Sequence, residues 1–152
     1  DFLDHARLQE QFSTPVCLDE SIKSEGDLAL ALELGSCQIV NIKPGRVGGF
    51  GVSRRLHDTA RDRGMPVWCG GMLESGIGRA YNVALASLPN FVLPGDISPS
   101  ARYWQRDIVS PEWTMDETGM VTVPHNQTGI GVTVDRDYVD SITARSETLI
   151  AE

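Results

Sequence analysis

A lysine stands at the end of an apolar run and directly before a glycine-rich turn. Lys43 closes the segment NIK and is followed by PGRVGG, whose glycines keep bulky side chains away from the amine. Low-dielectric walls and neighbouring cations pull the pKa of a lysine towards neutrality, so that it can exchange a proton at physiological pH. A surface lysine that only extends its ammonium group into water fits the same position, and the residues alone leave both interpretations open.

Two adjacent carboxylates end another apolar run. Asp19 and Glu20 close the segment PVCLDE, and consecutive side chains of a strand point to opposite sides, so only one of them can face a shared site. A carboxylate there offers the hard oxygen ligand that Mg²⁺ prefers. Acidic residues are also favoured at the start of a following helix, and the two roles are compatible.

The segment GGMLESGIGRA, residues 70–80, places glycines between a third apolar run and a helical pattern. Phosphate-binding loops have this layout. The Walker lysine is missing and the GxGxxG spacing is not met, so the sequence argues against a nucleotide site. Glu74 then either faces the mouth of a site or starts the helix.

The histidines and cysteines are not expected to carry the chemistry. No histidine ends a strand, and we interpret all three as surface or hydrogen-bonded side chains. The cysteines are odd in number, lie in or beside apolar runs and lack CxxC spacing, which disfavours a disulfide framework and a zinc site. The residues are His5, His57 and His125, and Cys17, Cys37 and Cys69.

Four β-rich runs must position the candidate residues: PVCLDE (15–20), CQIVNIK (37–43), PVWCGG (66–71) and FVLPGD (91–96). Their starts recur every 22 to 29 residues or so, the length of a strand, a loop and a helix. The helical patterns cover 2–12, 24–34, 52–63 and 78–87, and two of them are followed by a terminating glycine, Gly35 or Gly64. We therefore predict an α/β fold with parallel strands, whose ligands gather at the carboxyl ends of the strands.

Composition limits the partners of this fold. The chain has 152 residues, 41% hydrophobic and 22% charged, which is typical of a folded globular domain. No apolar run approaches the roughly 20 residues that cross a bilayer, and no export signal is visible. A net charge of −8 disfavours non-specific binding to nucleic acid or to an anionic membrane. We expect a cytoplasmic protein that acts on a small molecule.

Several segments at matching spacing resemble the muconate-lactonizing-enzyme subgroup of the enolase superfamily, and within it the o-succinylbenzoate synthases and N-acylamino-acid racemases. They are LDES, NIKPGRVGG, VWCGGMLESGIGRA, NVALASLPNF and LPGD, and the resemblance runs from Asp1 to about Val134. It implies the C-terminal half of a (β/α) TIM-like barrel, strands five to eight, over residues 1–98. Residues 99–152 are then a C-terminal tail that packs on the barrel or on a capping domain. Two of its segments, MVTVP and GIGVTV, have the composition of short strands.

The resemblance also implies roles for individual residues. Asp19 corresponds to the third Mg²⁺ carboxylate, at the end of strand five, and Lys43 to the second catalytic lysine, at the end of strand six. Glu20 stands one layer behind the metal ligand. The substrate pocket at strand seven is formed by Gly71, Met72, Leu73 and Glu74. The other two metal carboxylates and the lysine pair of strand two have no counterpart in this sequence.

The activity implied by the resemblance begins with removal of a proton α to a carboxylate, giving an enediolate held by Mg²⁺. A synthase then expels hydroxide and produces o-succinylbenzoate for menaquinone synthesis, whereas an N-acylamino-acid racemase or dipeptide epimerase returns the proton. We expect the complete enzyme to be a homo-oligomer that acts on a small carboxylate. A hypothesis of another class is a non-catalytic fragment or one half of a split enzyme, inactive without the N-terminal half of the barrel and the capping domain.

Overall fold

The computed structural model describes residues 1–150. It opens with helix α1 (Phe2–Gln11), capped by the Asp1 carboxylate, which accepts a hydrogen bond from the Asp4 amide at 2.9 Å. The repeating part continues with β1 (Cys17–Leu18), α2 (Glu25–Leu34), β2 (Ile39–Ile42), α3 (Pro44–Val47), α4 (Phe50–Asp62), β3 (Val67–Cys69) and α5 (Gly76–Ala86).

Three parallel strands form the sheet, in the order β1-β2-β3. The register pairs Leu18 with Val40, and Val40 with Val67. These strand residues are buried because their side chains face the helices that cover one side of the sheet. Strands alternating with covering helices confirm the predicted α/β half-barrel. The core between sheet and helices includes Leu28, Ala31, Ile42, Leu56, Ala60 and Leu85.

The predicted fourth strand, 91–96, is reduced to two isolated parallel bridges, Val67 with Phe91 and Gly70 with Asp96. The Asp96 amide donates to the carbonyl of Cys69 at 2.9 Å. Between the two bridges, Pro94 has no amide hydrogen to donate, which interrupts the ladder. The chain therefore follows the path of a fourth strand without forming a regular one.

The helix ends were predicted more closely than the helix starts, because glycines mark two of the ends. Gly35 caps α2 and Gly64 follows α4, each with φ of +67°, in the left-handed region that favours glycine. Helices α4 and α5 both start two residues before their predicted first residues. Helix α3 was not predicted, although Pro44 at its first position is typical of a helix start.

The tail contains a 3-10 helix (Ser100–Arg102), an antiparallel pair of β4 (Val109–Ser110) and β5 (Thr133–Val134), and α6 (Arg136–Ile142). The strand expected in MVTVP, 120–124, does not form, because Val121 and Val123 pack against a small apolar cluster instead of joining a ladder. The strand expected in GIGVTV contributes only its last two residues. The cluster is built on Ala80, Val83, Val109 and Trp113, so the tail covers α5.

A buried ion pair fixes the tail to the start of α5. The guanidinium of Arg79 lies 3.5 Å from the Asp107 carboxylate, and both side chains are almost fully buried. Asp107 also accepts hydrogen bonds from the Gly76 amide at 2.7 Å and the Ser100 hydroxyl at 2.6 Å. The Trp113 indole donates to the Gly76 carbonyl at 2.8 Å. The first turn of α5 is thus held by tail residues. None of the helices within residues 1–150 is long and apolar enough to span a membrane.

Two glycine-to-alanine changes in α2 and its cap are expected to shift stability in opposite directions. Gly35→Ala should lower the free energy of unfolding by about 1 to 2 kcal/mol, because alanine is strained in the left-handed conformation. Gly26→Ala should raise it by about 0.5 to 1 kcal/mol, because Gly26 lies inside the helix. A Cβ there meets only Ser24 Oγ, at an ordinary 3.6 Å. Urea unfolding of both variants measures the difference, and equal shifts would contradict the assignment of Gly35 as the cap.

Candidate active site

The side chains of Asp19 and Lys43 meet at the carboxyl ends of β1 and β2. Asp19 directly follows β1 and Lys43 directly follows β2, and the Lys43 ammonium lies 3.1 Å from Asp19 Oδ2. Both side chains are partly exposed, at 21% for Lys43 and 26% for Asp19. The structure therefore brings together the two residues that the sequence singled out on separate strands, and leaves their charged ends open to solvent.

Two further residues contact Asp19, and the sequence analysis missed both. Asn41 Nδ2 donates to Asp19 Oδ2 at 3.0 Å, and the Arg46 guanidinium pairs with Asp19 Oδ1. Arg46 also donates from Nε to the Ile22 carbonyl at 2.8 Å, and burial lowers the pKa of its guanidinium. Asn41 could have been found from its position two residues before Lys43, because alternate strand residues share a face.

Glu20 is exposed and lies in the turn that follows β1, and it makes no hydrogen bond or ion pair with Asp19 or Lys43 among the described contacts. The alternative role of Asp19 and Glu20 as helix-start acids is wrong. Helix α2 begins later, with Ser24 as its cap and Glu25 and Asp27 in its first turn. The placement of Glu20 behind a metal ligand stays a prediction.

A divalent cation has one suitable ligand at this position. The Asp19 carboxylate is a hard oxygen donor that Mg²⁺ accepts. Among residues 1–150 no group of three or more histidine, cysteine, aspartate or glutamate side chains is placed to hold a metal ion. Asp19 therefore fits Mg²⁺ as one ligand of a larger set, and this part of the chain offers no complete cage.

The loop after β3 is folded around Glu74. Its carboxylate accepts the Met72 amide hydrogen at 2.8 and 2.9 Å and a hydrogen bond from Asn82 Nδ2 at 3.0 Å. The Trp104 indole donates to the Glu74 carbonyl at 3.1 Å. Met72 and Leu73 are turned outward as a result, with 51% and 71% of their surface exposed.

A cavity of about 690 Å³ lies between this loop and the start of α4. Its volume is within the range of small-molecule sites. Three of the four predicted pocket residues line this cavity, and Gly71 does not. Asp19 and Lys43 are not part of its walls either. The walls include Pro44, Phe50, Met72, Leu73, Glu74 and Tyr81.

The cysteines and His57 have the structural character that the sequence suggested. All three cysteines are free, and burial raises the pKa of Cys37 to about 11 and of Cys69 to about 12, so both remain thiols at neutral pH. His57 is buried, with Nδ1 3.0 Å from the Asp58 carboxylate and Nε2 accepting the Asn90 amide hydrogen at 3.2 Å. Cys37, Cys69 and His57 belong to the core rather than to the site, whereas Cys17 is exposed.

Known proteins share both the sequence and the fold. The profile of the Enolase C-terminal domain-like family matches residues 1–138. An o-succinylbenzoate synthase from Geobacillus kaustophilus is 55% identical over 143 residues, covering 94% of this chain and 38% of the relative. An N-succinylamino acid racemase from Amycolatopsis is 52% identical with the same coverages. The chain therefore spans well under half the length of these relatives.

Solved structures agree with the family match. An enolase superfamily member from Listeria innocua superposes with a TM-score of 0.86 at 46% identity, over 93% of this chain and 38% of its own. A dipeptide epimerase from Cytophaga hutchinsonii, complexed with Mg and a dipeptide, has a TM-score of 0.83 at 21% identity, over 92% of this chain and 38% of its own, which shows the shared fold. The chain belongs to the enolase C-terminal domain-like family of the enolase superfamily.

Proposed function

We propose that this chain supplies half of the active site of an o-succinylbenzoate synthase, a lyase that dehydrates its substrate in menaquinone biosynthesis. The observation that carries the proposal is the Asp19–Lys43 pair, 3.1 Å apart at the ends of adjacent parallel strands. It is supported by several o-succinylbenzoate synthases at 55% identity. The ends of parallel barrel strands are where such enzymes place their reactive groups.

In this proposal Asp19 holds the metal and Lys43 acts on the substrate. Bound Mg²⁺ would supply positive charge to the substrate carboxylate and so make the proton on its α-carbon easier to remove. Lys43, with its ammonium at the open end of β2, would stand beside the reacting carbon and stabilise the developing negative charge as a cation. The proton acceptor of the synthase reaction would be a lysine on barrel strand two, outside this chain.

N-acylamino-acid racemisation is a second candidate, favoured by the 52% identity to an N-succinylamino acid racemase. In that reaction Lys43 would itself exchange the substrate proton, as acid in one direction and as base in the other. Dipeptide epimerisation would use the same pair of lysines. All three activities need one metal site and one lysine on each side of the reacting carbon.

The substrate would be a small carboxylate bound near the loop after β3. Met72 and Leu73 give that loop exposed apolar surface, and Glu74 holds its shape through the Met72 amide and Asn82. Gly71, next to the strand end, would leave room for the substrate. Glu20 would support the metal ligand from behind.

The remaining parts of the proposal concern what accompanies this chain. Residues 1–98 would form half of the barrel and residues 99–152 the tail that covers it, completed by an N-terminal half and a capping domain. This chain covers only 38% of the related synthase from Geobacillus kaustophilus, and the rest of that length supports the presence of these further parts. The complete protein would be a homo-oligomer in the cytoplasm, a reducing compartment that suits three free thiols.

Replacement of Lys43 in the complete enzyme is expected to abolish racemisation and to slow dehydration by about 10²- to 10⁴-fold, because a positioned charge and proton donor is lost. For racemisation Lys43→Arg should be nearly as damaging as Lys43→Ala, since arginine keeps its proton, whereas for dehydration its retained charge should make it the milder of the two changes. The matched control is Lys23→Ala. Lys23 is the only other lysine of this chain, and it is exposed at the turn before α2. Steady-state assays of both reactions test this, and normal turnover of Lys43→Ala in both reactions would exclude the residue from the site.

Asp19→Asn in the complete enzyme is expected to weaken Mg²⁺ affinity about tenfold or more while the fold persists, because a neutral oxygen replaces an anionic ligand. Calorimetric Mg²⁺ titration measures the affinity, and thermal unfolding in a metal chelator checks the fold. Asp62→Asn, at the exposed end of α4, is the control for loss of one negative charge. Equal affinities in the two variants would count against Asp19 as a ligand.

Residues 1–152 alone are expected to be inactive in both reactions. Asp19 is a single carboxylate, and the outer edges of β1 and of the strand-like segment 91–96 need partners. The experiment assays the purified chain with Mg²⁺ before and after adding an N-terminal half from a relative, and counts the chains in solution by mass. Activity only after mixing supports the half-site. Activity of the lone chain would refute it, and inactivity of a well-assembled mixture would favour the non-catalytic hypothesis.

A further inference from the structure

Asn41 is a fully buried polar residue on the strand that carries Lys43. It has no exposed surface, and its side chain lies on the same face of β2 as Lys43. Nδ2 donates at 3.0 Å to Asp19 Oδ2, the same oxygen that lies 3.1 Å from the Lys43 ammonium. The amide and the ammonium therefore converge on one carboxylate oxygen.

The oxygen of the Asn41 amide argues against a purely structural role. Its Oδ1 is buried and has no hydrogen-bond partner among the described residues. A polar side chain kept for core packing alone is expected to have both ends satisfied, because an unpaired buried acceptor is unfavourable. Turning the amide over would bring Oδ1 against the Asp19 carboxylate, so the bond to Asp19 determines its orientation.

Gly70, at the end of β3, makes room for this arrangement. A Cβ at Gly70 would lie 2.6 Å from Asn41 Nδ2 and 2.6 Å from Lys43 Cε, distances that real Cβ atoms do not adopt. The Gly70 amide donates to the Ile42 carbonyl at 3.3 Å, which fixes the backbone beside Asn41. A side chain at position 70 would therefore displace the Asn41 amide and the end of Lys43.

We propose that Asn41 is the positioning residue of Asp19 and that Gly70 supplies the space in which Asn41 and Lys43 reach it. Asn41 holds the carboxylate in the orientation that a metal ion and Lys43 share. The inference rests on the proposed function, because it assumes that Asp19 binds Mg²⁺. Residues that hold a metal ligand by a hydrogen bond commonly change metal affinity by about 10- to 100-fold when replaced.

The test measures Mg²⁺ affinity by calorimetry in the complete enzyme. Asn41→Leu keeps the size of the side chain and removes the donor, and is expected to weaken Mg²⁺ binding by about 10- to 100-fold. Gly70→Ala keeps every polar group but displaces the Asn41 amide and Lys43, and it should also weaken Mg²⁺ binding. In both, kcat for dehydration should fall further than the accompanying change in KM.

Asn90→Ala is the matched control. Asn90 lies at the opposite end of β3 and donates from Nδ2 to the Met65 carbonyl at 2.8 Å. The control should lower the unfolding temperature measured in a metal chelator without changing Mg²⁺ affinity. Affinities of Asn41→Leu and Gly70→Ala within about threefold of the wild type would overturn the proposal.

Failure of either variant to fold is also informative. If Asn41→Leu does not fold, Gly70→Ala decides the matter; if neither folds in chelator, the two residues are structural and the proposal is wrong. Wild-type enzyme that binds Mg²⁺ but performs neither reaction would refute the proposed function alone, because the effect of Asn41 on Mg²⁺ affinity can still be measured. Wild-type enzyme that binds no Mg²⁺ would refute both.

Discussion

The register of β1 against β2 determines whether this chain has a site at all. Leu18 pairs with Val40, which places Asp19 opposite Asn41, two residues before Lys43. A slip of one residue would turn every side chain to the other face of the sheet. Val40 and Ile42, which have no exposed surface, would then leave the core under the helices. The same apolar contacts that stabilise the fold therefore hold Asp19 and Lys43 together.

The charges around Asp19 bear on the proposed metal site, which would need carboxylates from other strands. One carboxylate is shared by the Lys43 ammonium and the Arg46 guanidinium, and it accepts an amide hydrogen bond as well. Two nearby cations offset its negative potential, so a divalent ion gains little from Asp19 by itself. Further carboxylates would restore an excess of negative charge, which dominates the affinity of a hard cation. Lys43 and Arg46 would meanwhile stay close to where substrate charge develops.

Local patterns in the sequence predicted the repeating part of the fold and less of the remainder. The apolar runs located β1 to β3, and Gly35 and Gly64 marked two helix ends, because these signals lie within a few neighbouring residues. The apolar run 91–96 predicted a fourth strand, whereas Pro94 within it cannot donate a hydrogen bond to a ladder. The pairing of Val109 with Val134 joins distant segments and has no local signal. Lys43 could be chosen as a candidate from its own position at a strand end. The contacts of Asn41 and Arg46 with Asp19 join residues 22 and 27 positions apart, and the structure was needed to find them.

The tail links the stability of the fold to the shape of the proposed substrate region. Asp107 and Trp113 hold Gly76, the first residue of α5, through its amide and its carbonyl. The loop that Glu74 folds ends directly before that residue, and the Trp104 indole donates to the Glu74 carbonyl. The position of this loop therefore depends on contacts with residues some 30 positions later in the chain. Because Met72 and Leu73 project from this loop, substitutions in the tail can reshape the cavity without touching Asp19 or Lys43. If the proposed function holds, the shape of this cavity can vary independently of the charged pair.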